Sequence, residues 1–284
     1  MPDRLAIPAR ASLEVWGDPI DHSLSPRVHT AAYTALGWAW SYGRRRVDEA
    51  GFTAELTEHA SGLRGLSLTF PLKAAAFAAA TTKDRTAEVT GAVNTLLLTS
   101  SGPRGFNTDV GGLVADLRAH GVDGVEHARI IGAGATATSA LVALSDLGVE
   151  RVEVVARRPE AVAALSAVGE RVGVAVSMWS ADGGAPASVP VTISTLPGGA
   201  ALPDEHAHAF AASGGLLYDV VYGHWPTALA AAWERVGHTA INGLGMLLHQ
   251  AVLQIRIFAT GNPDEPLPDE PSVVAVMRRA LMGD

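Results

Sequence analysis

The segment Leu66-Ser67-Leu68-Thr69-Phe70-Pro71-Leu72-Lys73 reads as a strand giving way to a helix. Leu66, Ser67 and Leu68 form the end of a short buried strand. Thr69 is a favourable helix N-cap and Pro71 is tolerated in a first helical turn, so Lys73 is expected near the amino end of a helix through Ala74–Ala80. The helix macrodipole is positive there and disfavours a cation. Composition sharpens the point. Of 21 basic residues only Lys73 and Lys83 are lysines, and lysine, unlike arginine, can give up a proton. The plainer alternative is a surface lysine whose stem covers apolar neighbours.

Upstream, Leu13–Gly17 reads as a first strand that runs into Gly17-Asp18-Pro19-Ile20-Asp21-His22-Ser23-Leu24-Ser25-Pro26. Ser25 before Pro26 signals a cap and the start of a helix through Val28–Leu36. Ser23 and Ser25 set two hydroxyls and nearby helix amides at one turn, which suits a small carboxylate without an arginine. A strand at Trp40–Arg46, a helix at Asp48–Ala60 and the strand ending at Leu68 complete a β-α-β-α-β run. Such alternation argues for a mostly parallel sheet covered by helices.

Downstream, Thr90–Leu98 reads as a further strand. Asn94 interrupts its apolar run, so that amide must bond neighbouring backbone or face a polar cavity. Gly105-Phe106-Asn107-Thr108-Asp109 then leads into a helix at Val110–His120. Asp109 is a candidate N-cap, and a capping carboxylate can still accept a hydrogen bond from Lys73.

A chain of 284 residues with 48% hydrophobic content can bury a large core in one large domain or two of moderate size. Its net charge of −8, with no basic block, argues against nucleic acid and anionic membrane surfaces as partners. With no cysteine, disulfides, thiolate metal sites and cysteine nucleophiles are excluded. Asp3, Arg4, Pro8 and Arg10 precede no apolar run, so no secretory leader is expected, and no stretch is long and apolar enough to span a bilayer. The expectation is a cytoplasmic protein.

Ser23-Leu24-Ser25-Pro26, Thr69-Phe70-Pro71-Leu72-Lys73, Ala92-Val93-Asn94-Thr95 and Asn107-Thr108-Asp109, in this order and at these separations, resemble the substrate half of the shikimate dehydrogenase family. The likeness spans nearly the whole chain. One departure stands out: the family's usual Asn-Val-Thr reads Ser67-Leu68-Thr69 here, a hydroxyl in place of a side-chain amide.

In the second half, Ala128–Ile131 reads as a strand followed by Gly132-Ala133-Gly134-Ala135-Thr136-Ala137 and a helix to Leu147, which fits the dinucleotide pattern G-x-G-x-x-A. The first glycine permits the tight turn, the second lets a pyrophosphate approach the backbone, and Ala137 lets helix pack on strand. A strand at Arg151–Val155 succeeds that helix. Where a free ribose hydroxyl calls for an acid, the chain reads Ala156-Arg157-Arg158-Pro159. Two arginines ahead of a helix start are electrostatically misplaced unless an anion meets them, and the 2′-phosphate of NADP is such an anion. A solvated surface pair is the alternative.

Val172–Val176, Val191–Ser194 and Leu216–Val220 read as later strands of a doubly wound sheet. The loop at Thr195-Leu196-Pro197-Gly198-Gly199 resembles the family's cofactor loop. Asp219-Val220-Val221-Tyr222, with Pro226 and Thr227, resembles the loop where nicotinamide and substrate meet. Asn242-Gly243-Leu244-Gly245-Met246-Leu247-Leu248-His249-Gln250 opens a long helix through Phe258, in which Gly243 leaves room for a flat ring and Met246 and Gln250 share a face. By resemblance, Gly243 and Met246 flank the nicotinamide and Gln250 reaches the substrate. His206 and His208, two apart with no third ligand at suitable spacing, are not read as a metal site, and no metal is expected.

The expected architecture is α/β in two domains. Residues 1–108, joined by helices in 242–284, form a substrate-binding domain, and residues 109–241 form a Rossmann-type NADP-binding domain. The resemblance implies NADP-dependent reduction of 3-dehydroshikimate to shikimate in aromatic amino acid biosynthesis. It places Lys73 and Asp109 as the acid–base pair, with Ser23, Ser25, Ser67, Thr69, Asn94, Tyr222 and Gln250 at the substrate. It places Gly132, Ala133, Gly134, Ala135, Thr136, Arg157, Arg158, Thr195, Val221, Gly243 and Met246 at the cofactor. The residues by themselves specify only a small, anionic, polyhydroxylated ring. Rival readings are a quinate or aminoquinate dehydrogenase on the same scaffold, a methylenetetrahydrofolate dehydrogenase, which leaves the serine pair and Asn107-Thr108-Asp109 unexplained, and a catalytically silent ligand sensor. The assembly is expected to be a monomer or homodimer.

Overall fold

The computed structural model describes residues 7–181, 184–200, 202–223 and 225–283; Asp3 and Arg4, on which the expectation about a leader rests, lie outside them. The chain divides into two compact units, one of Met1–Gly112 with Leu247–Asp284 and the other of Leu113–Met246. Among the described residues no helix is long and apolar enough to cross a membrane.

The first unit runs β1 (Arg10–Gly17), α1 (Ser25–Leu36), β2 (Ala39–Arg46), α2 (Phe52–His59), β3 (Gly65–Leu68), α3 (Lys73–Ala79), β4 (Thr82–Lys83), α4 (Arg85–Thr90), β5 (Thr95–Thr99), β6 (Gly102–Phe106) and the start of α5 (Asp109–Ala119). Its sheet has the order β2-β1-β3-β5-β6-β4. The pairs of β1 with β2 and β3, and of β4 with β6, are parallel, whereas β5 is antiparallel to both of its neighbours. Trp16, Leu66, Leu68, Leu72, Ala76 and Leu96 are buried together between sheet and helices. Strand register sets two side-chain amides next to each other: Thr95 pairs with Ser67 on one side and Phe106 on the other, so Asn94 and Asn107 emerge side by side just past the paired ends.

The second unit contains β7 (His127–Ile131), α6 (Ala135–Asp146), β8 (Arg151–Val155), α7 (Pro159–Val172), β9 (Ala175–Met178), β10 (Val191–Ser194), α8 (Asp204–Ala212), β11 (Leu216–Asp219), α9 (Ala228–Arg235) and β12 (Ala240–Asn242). Its sheet is parallel throughout, in the order β12-β11-β10-β7-β8-β9. This is a doubly wound sheet whose order reverses between β7 and β10, the place where such folds hold ligands beyond the carboxyl ends of the strands.

Helix α10 (Leu244–Thr260) leads back to the first unit, and α11 (Glu270–Met282) packs there against α1. The end of α10 is gripped by two arginines: Arg64 donates to the Phe258 and Ala259 carbonyls and Arg104 to that of Gly261. Cations at a helix carboxyl end satisfy carbonyls that have no partner in the helix and complement its dipole.

Several local expectations are corrected. Thr69 does not cap α3; Leu72 does, and its carbonyl receives the Ala76 N–H. Pro71, preceded by a cis peptide, lies in a turn closed by the Leu72 N–H on the Thr69 carbonyl, so it precedes the helix rather than entering it. Ser25 is likewise the first residue of α1 rather than its cap, which is Leu24. Thr90 ends α4 instead of opening a strand: Asp84 caps that helix and Gly91, at φ 65°, closes it. Val172 ends α7, where Gly173 takes the left-handed conformation, and β9 starts later. Apolar periodicity alone did not anticipate α4, α8, α9, β4, β6 or β12.

Candidate active site

Lys73 is the first residue of α3, and Asp109 is the first of α5, directly beyond β6. The Lys73 Nζ donates to Asp109 Oδ2 at 2.6 Å, and the two side chains are only 13% and 7% exposed. A buried ion pair offsets its desolvation only when other hydrogen bonds satisfy the remaining lone pairs. Here Asn94 Nδ2 donates to Asp109 Oδ1 at 2.8 Å, and Asn107 Oδ1 accepts the Asp109 N–H at 3.0 Å. Asp109 is thus the first residue of α5 and not its cap: Asn107 Oδ1 holds its N–H, and the Thr108 carbonyl accepts from the Gly112 N–H.

Asn94 is nearly inaccessible at 2% exposure, so its amide needs partners on all sides. Its Oδ1 accepts from the Thr108 N–H at 2.9 Å and from Thr95 Oγ1 at 2.9 Å, while Nδ2 also donates to Thr108 Oγ1 at 2.9 Å. The Thr108 hydroxyl lies within donating distance of two acceptors, Asn94 Oδ1 at 3.2 Å and Gln250 Oε1 at 3.4 Å. The structure thus joins four of the expected residues, Lys73, Asn94, Asp109 and Gln250, in one bonded cluster.

The other expected substrate residues stand differently. Ser23 Oγ accepts the Ser25 N–H at 3.3 Å, which organises the start of α1. The Thr69 N–H donates to the Trp16 carbonyl, leaving its side chain partly exposed. Ser67 is buried, and its hydroxyl is already engaged: Tyr42 donates to it at 2.6 Å and it donates to Gln254 Oε1 at 2.8 Å. Sequence reading overlooked Gln254, Thr95, Thr108 and Asn107. A glutamine inside the apolar run of α10, four residues after Gln250, was the available signal, because a buried amide without partners is costly.

In the second unit, Gly132 has φ 110°, and a Cβ there would fall 2.4 Å from Thr195 Oγ1. Thr195 donates both its N–H and its hydroxyl to the Ile131 carbonyl, which seals the turn from below. A Cβ at Gly134 meets nothing within 4 Å, and α6 begins with no side-chain cap. Open backbone at the positive end of a twelve-residue helix fits a pyrophosphate. Arg157 and Arg158 are exposed at the end of β8, Arg158 being the N-cap of α7. Neither guanidinium has a hydrogen-bond or ion-pair partner among the described residues, so the cations are free to meet an added anion.

Val221 and Gly243 also come together, the Gly243 N–H donating to the Val221 carbonyl at 3.3 Å; a Cβ on Gly243 would strike the Val220 carbonyl oxygen at 2.2 Å. Asp219 shapes this loop by accepting from the Val221 N–H and the Thr227 hydroxyl, and burial raises its pKa. The Met246 N–H donates to the hydroxyl of buried Tyr218, which donates to Asp116 at 2.6 Å. Tyr222 is partly buried, which raises its pKa.

Residues 15–96 match the family described as the shikimate dehydrogenase substrate binding domain. A shikimate dehydrogenase (NADP(+)) of Acidiphilium cryptum is 38% identical over 242 residues, covering 84% of this chain and 86% of its own. The crystal structure of Mycobacterium tuberculosis shikimate dehydrogenase superposes with a TM-score of 0.83 at 36% identity, over 95% of this chain and 98% of that one. The shikimate 5-dehydrogenase of Thermus thermophilus, solved in complex with NADP(H) and shikimate, gives a TM-score of 0.78 at 30% identity, over 95% and 100%. With relatives this similar along most of its length, the chain belongs to the shikimate dehydrogenase family.

Proposed function

We propose that this protein is an NADP-dependent shikimate dehydrogenase that interconverts 3-dehydroshikimate and shikimate. The observation that carries the reading is the buried Lys73–Asp109 pair at 2.6 Å, held from behind by Asn94. Reduction of a ring ketone needs a hydride at the carbonyl carbon and a proton at its oxygen. Bound at the glycine turn, NADPH supplies the hydride. The Lys73 ammonium gives its proton to the developing alkoxide and is left as an amine; in the oxidative direction the amine takes the hydroxyl proton back. Asp109 orients the amine and accepts from a neighbouring ring hydroxyl, and its lone pairs are directed by Asn94.

On this reading Ser23 and Ser25 receive the carboxylate, and Thr69, Asn94, Tyr222 and Gln250 take the ring hydroxyls. Ser67, already bonded to Tyr42 and Gln254, keeps only a remaining lone pair for a ligand. Gly132, Ala133, Gly134, Ala135 and Thr136 cradle the pyrophosphate, Arg157 and Arg158 take the 2′-phosphate, and Thr195, Val221, Gly243 and Met246 border the nicotinamide side. We assign residues 1–108 with 242–284 to substrate and 109–241 to cofactor. A cytoplasmic location suits a chain without cysteine, and a monomer or homodimer is proposed for the assembly. One spectrophotometric experiment tests the activity: NADPH or NADH, each with 3-dehydroshikimate or 3-dehydroquinate. The expected result is fastest turnover with NADPH and 3-dehydroshikimate; absence of turnover with that pair overturns the proposal.

A further inference from the structure

Two backbone groups that can act in only one direction orient the amides of Asn94 and Gln254, and with them the donors that lead to Asp109. The Thr108 N–H can only donate, so the atom of Asn94 that faces it at 2.9 Å is the amide oxygen, and Nδ2 is turned to Asp109. The Asn94 carbonyl can only accept, so the atom of Gln254 that faces it at 3.4 Å is Nε2, which also donates to Thr95 Oγ1 at 3.0 Å. Gln254 Oε1 must then accept from both of its neighbours, Ser67 at 2.8 Å and His29 Nε2 at 3.2 Å.

These assignments fix the others. Ser67 gives its hydrogen to Gln254, so Tyr42 donates to Ser67. Burial pushes the pKa of His29 down to about 3, so the ring is neutral with its single hydrogen on Nε2, and its Nδ1 accepts from the Tyr33 hydroxyl at 3.1 Å. Thr95, receiving Gln254, passes its own hydrogen to Asn94 Oδ1. Two donor chains therefore merge at Gln254, from Tyr42 through Ser67 and from Tyr33 through His29. They continue through Thr95 and Asn94, and every donation points towards the Asp109 carboxylate. Chains of aligned hydrogen bonds polarise one another, and in a buried setting the effect is not diluted by water.

We propose that Gln254 is a positioning residue: by holding the Thr95 hydroxyl and the Asn94 main chain, it directs the Asn94 amide at Asp109 while Lys73 holds the other carboxylate oxygen. This rests on the reading of Lys73 and Asp109 as the acid–base pair. The titratable groups facing the network are His29 and Tyr33 on α1, Tyr42 on β2 and Lys73 on α3, and none of them touches Gln254 as a charge.

The test uses full-length protein carrying Gln254→Met, which keeps length and removes the amide, and Thr95→Val, which keeps shape and removes the hydroxyl. Each is expected to lower kcat for shikimate oxidation by about tenfold, with KM for NADP changed by less than about twofold. Because both cut the same chain, the double variant is expected to lose no more than the worse single one. Fully additive losses, or a kcat within about twofold of wild type beside a lowered Tm, overturn the proposal. Tyr42→Phe, which deletes only the first donor, supplies a milder variant should the others fold poorly, with an expected loss of about threefold in kcat; unchanged kcat there counts against the chain. A second measurement needs no turnover. In ligand-free protein with 15N-labelled asparagine, the Asn94 amide protons are expected to move upfield in each variant as the bond to Asp109 weakens, and unmoved signals overturn the proposal. A wild-type protein inactive on shikimate sinks the proposed activity while leaving this measurement to decide the role of Gln254.

Discussion

Phe258 lies so close over Gly65 that a Cβ on residue 65 would fall 2.5 Å from its ring and 2.7 Å from the Leu96 carbonyl oxygen. Only a residue without a side chain lets α10 sit this low on the sheet, and that depth brings Gln250 and Gln254 to the ends of β3 and β5.

Gly65→Ala is therefore expected to force the ring or the strand aside, at a cost of about 1–3 kcal/mol, and to lower activity because α10 carries Gln250. Gly43→Ala is the control, since a Cβ there would be 3.4 Å from the flexible Glu14 side chain. Both changes remove the same backbone freedom, so the difference in Tm isolates the clash. Equal Tm values for the two variants would contradict the packing argument.

The legible part of this fold was its repeating part. Alternating apolar runs and helical periods announced β1 to β3 and the parallel sheet around Gly132, because each element buries a face that composition reveals. What escaped were short elements whose stability comes from elsewhere. The six residues of α4 are held by the Asp84 cap and the Gly91 turn, and the two residues of β4 by pairing to β6. Local propensity carries little weight at that length. At the site, Lys73 and Asn94 stood out as polar groups in unlikely places, and Asp109 as a candidate cap able to accept from Lys73. Gln254 and His29 did not, since a buried polar residue announces its partners only once distant segments meet: His29 and Gln254 are 225 positions apart.

Asp84 gives a pH prediction of definite sign. It caps α4 by accepting the Ala87 N–H at 2.7 Å, yet burial raises its pKa from 3.8 to about 6, with Glu88 adding to the shift. Between those values the folded protein holds a proton that the unfolded chain has lost, so this group's contribution falls as pH rises from about 4 to 6 and stays low above that. Asp84→Asn keeps a good cap and removes the charge. Relative to wild type, the variant should gain stability between about pH 4.5 and 7.5 by on the order of 1–2 kcal/mol, discounted for partial exposure. Urea unfolding at those two pH values checks it, and a variant that loses ground at the higher pH would show the ionised cap to be favourable.

Arg157 bears on cofactor choice. It is exposed, has no partner among the described residues, and stands beside the start of α7, where the helix dipole opposes a cation. Such a placement makes sense when a phosphate is present to accept charge-assisted bonds. Arg157→Ala should erode the preference for NADPH over NADH by on the order of tenfold or more, as one lost contact of about 1.4 kcal/mol implies. The ratio of kcat/KM for the two cofactors is the measurement, and an unchanged ratio would remove Arg157 from the phosphate site.

Lys73→Arg separates charge from proton transfer. The guanidinium preserves the cation and can still pair with Asp109, so binding of an anionic substrate need not suffer, but it does not release a proton at any useful pH. If the lysine carries the proton, kcat in both directions should fall by roughly 10²–10⁴, while KM for NADP and the Tm remain near wild type. Lys73→Met distinguishes the two contributions further. It strands a buried carboxylate that Asn94 alone must satisfy, so both stability and kcat should drop, the first by several kcal/mol at most. A Lys73→Arg protein that keeps kcat within about threefold would reduce the lysine to a binding group and leave Asp109 as the proton carrier.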